Sequence, residues 1–300
     1  MEISFFFEVL IGGLLAGVMY ALVALGFVLI YKASGVFNFA QGSMVFFAAL
    51  TCVGIVDKFG APLWLAILLT MAAMVLLGLA IERVVLRPLI AQHEITLFMA
   101  TIGLTFFIEG LAQLIWGPGV RRLDIGIPDL PIQFMLDRFN ISISQFDVTA
   151  AGICAVLVTG LALLFSKTKI GRALRAVADD HQAALAVGIP LQQIWGVVWA
   201  VAGFVALVAG LLWGARNGVQ FSLTLVALKA LPVLILGGFT SVPGAIVGGL
   251  IIGASEKLAE VYIGPLVGGG IEGWFPYVLA LLFLLVRPEG LFGEKIIRRI

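Results

Sequence analysis

The sequence predicts an all-α, polytopic transmembrane helical bundle, and three observations carry that prediction. Charged residues fill 12% of the 300 positions and hydrophobic ones 62%, against about 25% and 45–50% in soluble domains. Eighteen basic and 17 acidic residues cannot coat a soluble surface of that size, so lipid has to act as the outer solvent. The runs from Glu8 to Lys32, Lys58 to Glu82 and Asp147 to Lys167 are apolar on every face. Barrel strands would instead alternate over about ten residues. Much of the chain's glycine, 36 residues, falls within apolar runs, as close helix packing in lipid requires.

At about 20 apolar residues per span, helices fall near 8–31, 38–56, 62–86, 95–116, 147–165, 191–215, 222–239, 242–261 and 272–286, some of them broken or re-entrant. The first is preceded by Glu2 and no basic residue, so it reads as a retained span rather than a signal peptide. The second opens on Asn38 and Gln41 between Gly35 and Gly42; the fourth holds Glu109. Trp64, Trp116, Trp195, Trp213, Trp274, Tyr31 and Tyr262 mark the ends as an aromatic belt. Between the fourth and fifth spans, 117–146 contains Pro118, Pro128, Pro131 and a β-like run from Phe139 to Ile143, and reads as a small ordered cap. The glycines at 210, 214 and 218 and at 244, 248, 249 and 253 have helix-packing spacing. Segments around Gly17–Gly35 and Gly210–Gly218 precede broken helices of opposite sense, which reads as an inverted repeat with a pathway at its interface. The whole chain, 1–300, is read as one transmembrane domain.

Basic residues set the orientation. Lys32, Arg83, Arg87, Lys167, Lys169, Arg172, Arg175, Arg287, Lys295, Arg298 and Arg299 fall on one side; Lys58, Arg121, Arg122, Arg138, Arg216 and Lys257 fall on the other. The richer side is cytoplasmic, which places the N-terminus outside and the C-terminus inside. A net charge of +1 and a pI near 7.8 give no nucleic-acid signature. Cys52 and Cys154 read as small packing residues, and the isolated His93 and His181 make no metal site.

The cytoplasmic connection 166–190 is rich in Ala and Leu and closes on Gly188 and Pro190, which predicts one or two short helices. Leu174, Val177, Ala178, Leu185 and Val187 alternate with Arg172, Arg175, Asp179, Asp180 and His181, giving one packing face and one charged face. Lys229 stands in an otherwise uncharged run from Gly218 to Ser255; at mid-membrane it costs about 2.5–3.5 kcal/mol and needs a cavity or a partner. Pro232 frees carbonyls that a polar cavity or neighbouring protein must satisfy. Glu109 is the intramembrane anion available to pair with Lys229 or to contact cargo. Asn38 and Gln41, at a broken helix, suit a zwitterion's ammonium and carboxylate or an interhelical hydrogen bond. The chain has no Gly-x-x-x-x-Gly-Lys-Ser/Thr motif, so it is read as a non-enzyme that hydrolyses no ATP itself.

Gln182-Ala183-Ala184, followed by three residues and then Gly188, resembles the Glu-Ala-Ala-x-x-x-Gly loop by which permeases of ATP-binding-cassette importers dock on their ATPases. The segments Gly17–Gly26, Gly35–Gly42, Glu82–Pro88, Gly171–Ala176, Leu236–Ala245 and Arg287–Gly293 are similar to those of branched-chain amino-acid permeases of the LivH-like family. That family usually carries His where this chain has Gln41, and the docking loop usually has Glu where Gln182 stands. The resemblance implies a bacterial inner-membrane subunit that moves Leu, Ile and Val. It also implies a second homologous permease, two cytoplasmic ATPases holding ATP and Mg, and an extracytoplasmic binding protein. Gly171, Arg172, Arg175, Asp179, Asp180, Ala183, Ala184 and Gly188 become the coupling contact. Asn38, Gln41, Glu109 and Lys229 are the pathway residues proposed from their own chemistry. Import of urea or short-chain amides, and a stand-alone secondary transporter or channel, are the alternatives.

Overall fold

The computed structural model describes residues 3–89, 92–179 and 181–293. Its long helices are α1 (Ile3–Ser34), α2 (Gln41–Phe59), α3 (Leu63–Ala80), α4 (Glu94–Trp116), α6 (Gln145–Lys167), α9 (Leu191–Asn217) and α11 (Val242–Tyr262). The short ones are α5 (Gln133–Phe139), α7 (Lys169–Asp179), α8 (His181–Ala186), α10 (Val226–Gly237), α12 (Gly264–Val267) and α13 (Phe275–Val286). The seven long helices, with α3 extended to Leu89, are long and apolar enough to cross a membrane. The expected spans at 222–239 and 272–286 are shorter apolar helices, Phe221–Gly237 and Phe275–Val286. Of the residues in the charge count, Lys295, Arg298 and Arg299 lie outside the described residues.

The chain forms two compact units, one of residues 1–24, 126–160 and 228–300 and the other of 25–125 and 161–227. In the first, α1 and α11 touch backbone to backbone. A Cβ at Gly17 would lie 2.4 Å from the Gly249 carbonyl oxygen, and one at Gly253 would lie 2.4 Å from that of Gly13. The α10–α11 corner is equally close, since a Cβ on Gly244 would meet the Gly237 oxygen at 2.1 Å. Ser241 starts α11 by accepting from Gly244 N at 3.0 Å. The last carbonyls of α10 are taken by the returning chain, Leu291 N to Leu236 O at 2.8 Å and Phe292 N to Gly237 O at 3.1 Å. Two of the segments that carry the family resemblance, Leu236–Ala245 and Arg287–Gly293, are thus the two halves of one joint.

In the second unit α2 is the axle, buried at every position from Gln41 to Ile55. Glycines let its neighbours approach: a Cβ at Gly210 of α9 would lie 2.5 Å from Val45 O, and one at Gly78 of α3 would lie 2.5 Å from Trp199 O. Gly218 serves the backbone instead, with φ +78 at the end of α9. Helix α3 runs on as a π turn, Ile81–Leu86. Its i to i+5 hydrogen bonding brings Arg87 back over Glu82. The guanidinium then bonds both carboxylate oxygens, at 3.1 and 2.9 Å.

Two expectations are corrected. The run Phe139–Ile143 is not a strand: Phe139 ends α5 and Asn140 turns left-handed at φ 52, a conformation Asn tolerates well. The described residues make isolated bridges instead of a strand pair, Pro131 with Ser144 in the first unit and, separately, Arg121 with Val219 in the second. The aromatic belt is partial. Trp64 and Trp274 are exposed, but Trp195 and Trp213 are buried, and the Trp195 indole donates to Ala33 O at 3.0 Å.

Candidate functional site

Between α1 and α2 the chain is extended after Gly35, which has φ +69. This is the break that the glycines and amides of the sequence anticipated, and the structure closes it with side chains. Asn38 Oδ1 accepts from Ala40 N at 3.1 Å, and its amide donates to Gln41 Oε1 at 3.3 Å. Thr101 on α4 donates to Phe37 O at 3.1 Å and accepts from Phe39 N at 3.4 Å. The Phe37 ring stacks on Phe27 and meets Phe39 edge to face, and Phe39 meets Phe98 in the same way. Asn38 and Gln41 are fully buried. Gln41 Nε2 has no hydrogen-bond partner and rests against Gly26, where a Cβ would lie 2.3 Å from it. One buried polar donor therefore remains in a segment whose other polar groups are largely satisfied.

Glu109, 7% exposed, accepts from Ser43 Oγ at 2.8 Å. Lys229 Nζ bonds Glu256 Oε1 at 2.9 Å, and Tyr20 Oη donates to the same oxygen at 3.2 Å. The expected Glu109–Lys229 pair is thus replaced, because each residue has a partner on another helix of its own unit. Sequence reading missed Glu256 because it stands next to Lys257, and the two together look like the end of a span. The α10–α11 turn brings position 256 back beside 229. The signal was available in the one carboxylate that immediately ends the uncharged run around Lys229. The carbonyl released by Pro232 is also satisfied without a polar cavity. Pro232 has no N–H to give Leu228 O, and the Tyr277 hydroxyl donates to that oxygen at 2.7 Å.

In the second unit a cleft of about 260 Å³ is lined by Phe46, Gln113, Gly117, Gln220 and Ser222 among others. Phe46 and Gln113 lie one turn beyond Ser43 and Glu109 on α2 and α4, so the cleft opens on the helices that carry that buried pair.

The connection between α6 and α9 folds into α7 and α8, the short helices expected there. Thr168 Oγ1 starts α7 by accepting from Gly171 N at 3.2 Å. Gly171 lies against the end of α6, where a Cβ would meet Phe165 O at 1.9 Å. Arg175 covers the exposed carbonyls of α6, donating to Phe165 O at 2.7 Å and Ser166 O at 3.3 Å. After α8, Ile189 N bonds Ala184 O and Gly188 N bonds Leu185 O, both at 3.0 Å, with Gly188 at φ +83. This is a Schellman ending, which needs a left-handed residue. The packing face differs from the expected one. Leu174, Val177 and Ala184 are buried within the chain, while Leu185 and Val187 are 55% and 75% exposed. Of the coupling residues, Arg172, Ala183 and Gly188 face outward, Gly171 and Ala184 are buried, and Arg175 is half-buried. Asp180 and the side chain of Asp179 lie outside the described residues.

Seven helices long and apolar enough to cross a membrane, among the described residues, make this the architecture of a multi-pass membrane protein. The chain belongs to the family described as branched-chain amino acid transport system / permease component, which it matches over residues 9–287. It is 28% identical to the high-affinity branched-chain amino acid transport system permease protein BraD of Pseudomonas aeruginosa, over 100% of this chain and 99% of that one. Identity to LivH of Escherichia coli, named for the same transport system, is 27% with the same coverage. PsaBC from Streptococcus pneumoniae, solved in complex with Fab, shares the fold at a TM-score of 0.50 and 14% identity, over 95% of each chain.

Proposed function

We propose that this chain is the membrane permease subunit of an ATP-binding-cassette importer for Leu, Ile and Val in a bacterial inner membrane. The observation that carries the reading is its likeness, over the full chain, to two permeases named for branched-chain amino-acid transport. By the same reading it pairs with a homologous permease and receives cargo from an extracytoplasmic binding protein. Two cytoplasmic ATPases supply the energy, holding ATP and Mg. The excess of Lys and Arg around 32, 83–87 and 167–175 supports a cytoplasmic location for those connections, with the N-terminus outside and the C-terminus inside.

The exposed Leu185 and Val187, beside Ala183 and Gly188, form an apolar tip suited to a groove on an ATPase. Arg175 ties α7 to the end of α6, so a push on the tip is passed to a membrane helix rather than absorbed in a loose loop. By the same reading Asn38, Gln41, Glu109 and Lys229 are the candidate pathway residues, supported by the polar chemistry each brings to an apolar span. The test is uptake into liposomes holding the complete transporter and its binding protein. ATP-dependent uptake of Leu, Ile and Val is expected. Uptake of urea in their place, or leucine flux through this chain without any ATPase, overturns the reading.

A further inference from the structure

Tyr20, Lys229 and Glu256 belong to one unit of the chain and meet at a single corner. Lys229 Nζ lies 2.9 Å from Glu256 Oε1 and 3.5 Å from Tyr20 Oη, and Tyr20 Oη lies 3.2 Å from that same carboxylate oxygen. The two ends of the ion pair are treated differently. Glu256 is sealed, with a side chain 1% exposed, and a third of the Lys229 side chain stays open. The second carboxylate oxygen, Oε2, is buried and takes no hydrogen bond. A bridge whose only task was to tie α10 to α11 would cover both ends and use both oxygens, because an open ammonium facing hydrocarbon is costly.

An ammonium has three N–H donors. Two are turned inward, to Glu256 and Tyr20, and no described residue takes the third. The inward partners also stop the lysine from extending along α10 to a membrane surface, so the charge stays at the depth of Glu256. What remains is a half-neutralised cation on a side chain that is one third exposed, with one N–H donor taken by no described residue. Such a group attracts a carboxylate, and its counter-ion keeps the attraction moderate enough for the cargo to leave again.

We propose that Lys229 is the carboxylate receptor for amino-acid cargo, with Glu256 as its counter-ion and Tyr20 as a positioning residue. The proposal rests on the reading of the chain as an amino-acid permease and adds the chemical group that the cargo must carry.

The experiment uses the complete transporter, with the neutral double variant Lys229→Met/Glu256→Gln. Removing both charges leaves no buried ion unpaired, so the variant is expected to fold and to assemble with its ATPases. Leucine uptake is expected to fall at least about tenfold, the size of one missing charge-assisted hydrogen bond. Uptake restored to the unsubstituted level in the double variant identifies a purely structural pair and overturns the proposal.

A second measurement does not depend on how that variant folds. Saturation-transfer NMR on the detergent-solubilised unsubstituted transporter, without binding protein, is expected to show contact with leucine and none with leucinol, which lacks the carboxylate. Equal contact by leucinol, or no leucine contact in a transporter that takes leucine up, overturns it. Failure of the underlying function is recognised separately, because then the unsubstituted transporter takes up no leucine at all.

Discussion

Pro232 sits inside α10 and removes the N–H that Leu228 O would have received, yet the helix continues because the Tyr277 hydroxyl donates to that oxygen. Tyr277→Phe keeps the ring and removes the donor, leaving a carbonyl inside an apolar helix. The expected loss is about 1–3 kcal/mol, read as a lower thermal midpoint of the purified protein in detergent. Gly171 is a second position where one atom decides the outcome. The Cβ of Gly171→Ala would be placed 1.9 Å from Phe165 O, a backbone atom that cannot swing aside. That substitution is expected to cost about 1–3 kcal/mol through forced backbone movement, seen as a lower yield of folded protein. Both residues were visible in the sequence, but neither role was. A tyrosine 49 positions from the carbonyl it serves leaves no local pattern, and the glycine's neighbour is set by the angle at which α7 leaves α6.

At the scale of elements, α7 and α8 show what a helical pattern reveals and what it hides. The composition of 170–190 predicts short helices, and two are present. Which apolar residues face the chain's own core depends on where α7 turns off α6, and that corner is set by Thr168, Gly171 and Arg175. Leu174 and Val177 are consequently buried, and Leu185 and Val187 are left outside. Leu185→Asp is expected to reduce recovery of ATPase in a pull-down from membranes by about tenfold, with the permease's thermal midpoint unchanged, because an apolar side chain on the outer surface stabilises an interface rather than the fold. Ala184→Asp, one residue away but buried, is expected to lower the thermal midpoint instead. Equal effects from the two variants on both readouts would show that α8 does not present the face described.

For the whole molecule the question is what drives transport. Under the proposed function the energy comes from partner ATPases rather than from this chain. Liposomes holding this chain alone are therefore expected to show no leucine flux above background. The complete transporter should lose uptake when the phosphate-binding lysine of its ATPase is replaced, while cargo binding to the binding protein is unchanged. Radiolabelled leucine uptake, with and without ATP inside the vesicles, reads both outcomes.

Composition by itself determined that lipid is the outer solvent, and the lengths of the apolar runs determined where the helices lie, because hydrocarbon permits few alternatives to a helix. The segments Gly17–Gly26, Glu82–Pro88, Gly171–Ala176, Leu236–Ala245 and Arg287–Gly293 were recognisable as a family pattern. Only the tertiary structure decided that several of these are joints, in which glycine lets two backbones touch, an ion pair closes a π turn or a charged side chain covers a helix end. It also decided the partner of Lys229. Burying a charge guarantees that some partner exists, and one-dimensional spacing cannot say which carboxylate a helical hairpin will bring alongside. Glu256 rather than Glu109 fills that place because α11 folds back against α10 through the close contact of Gly237 and Gly244.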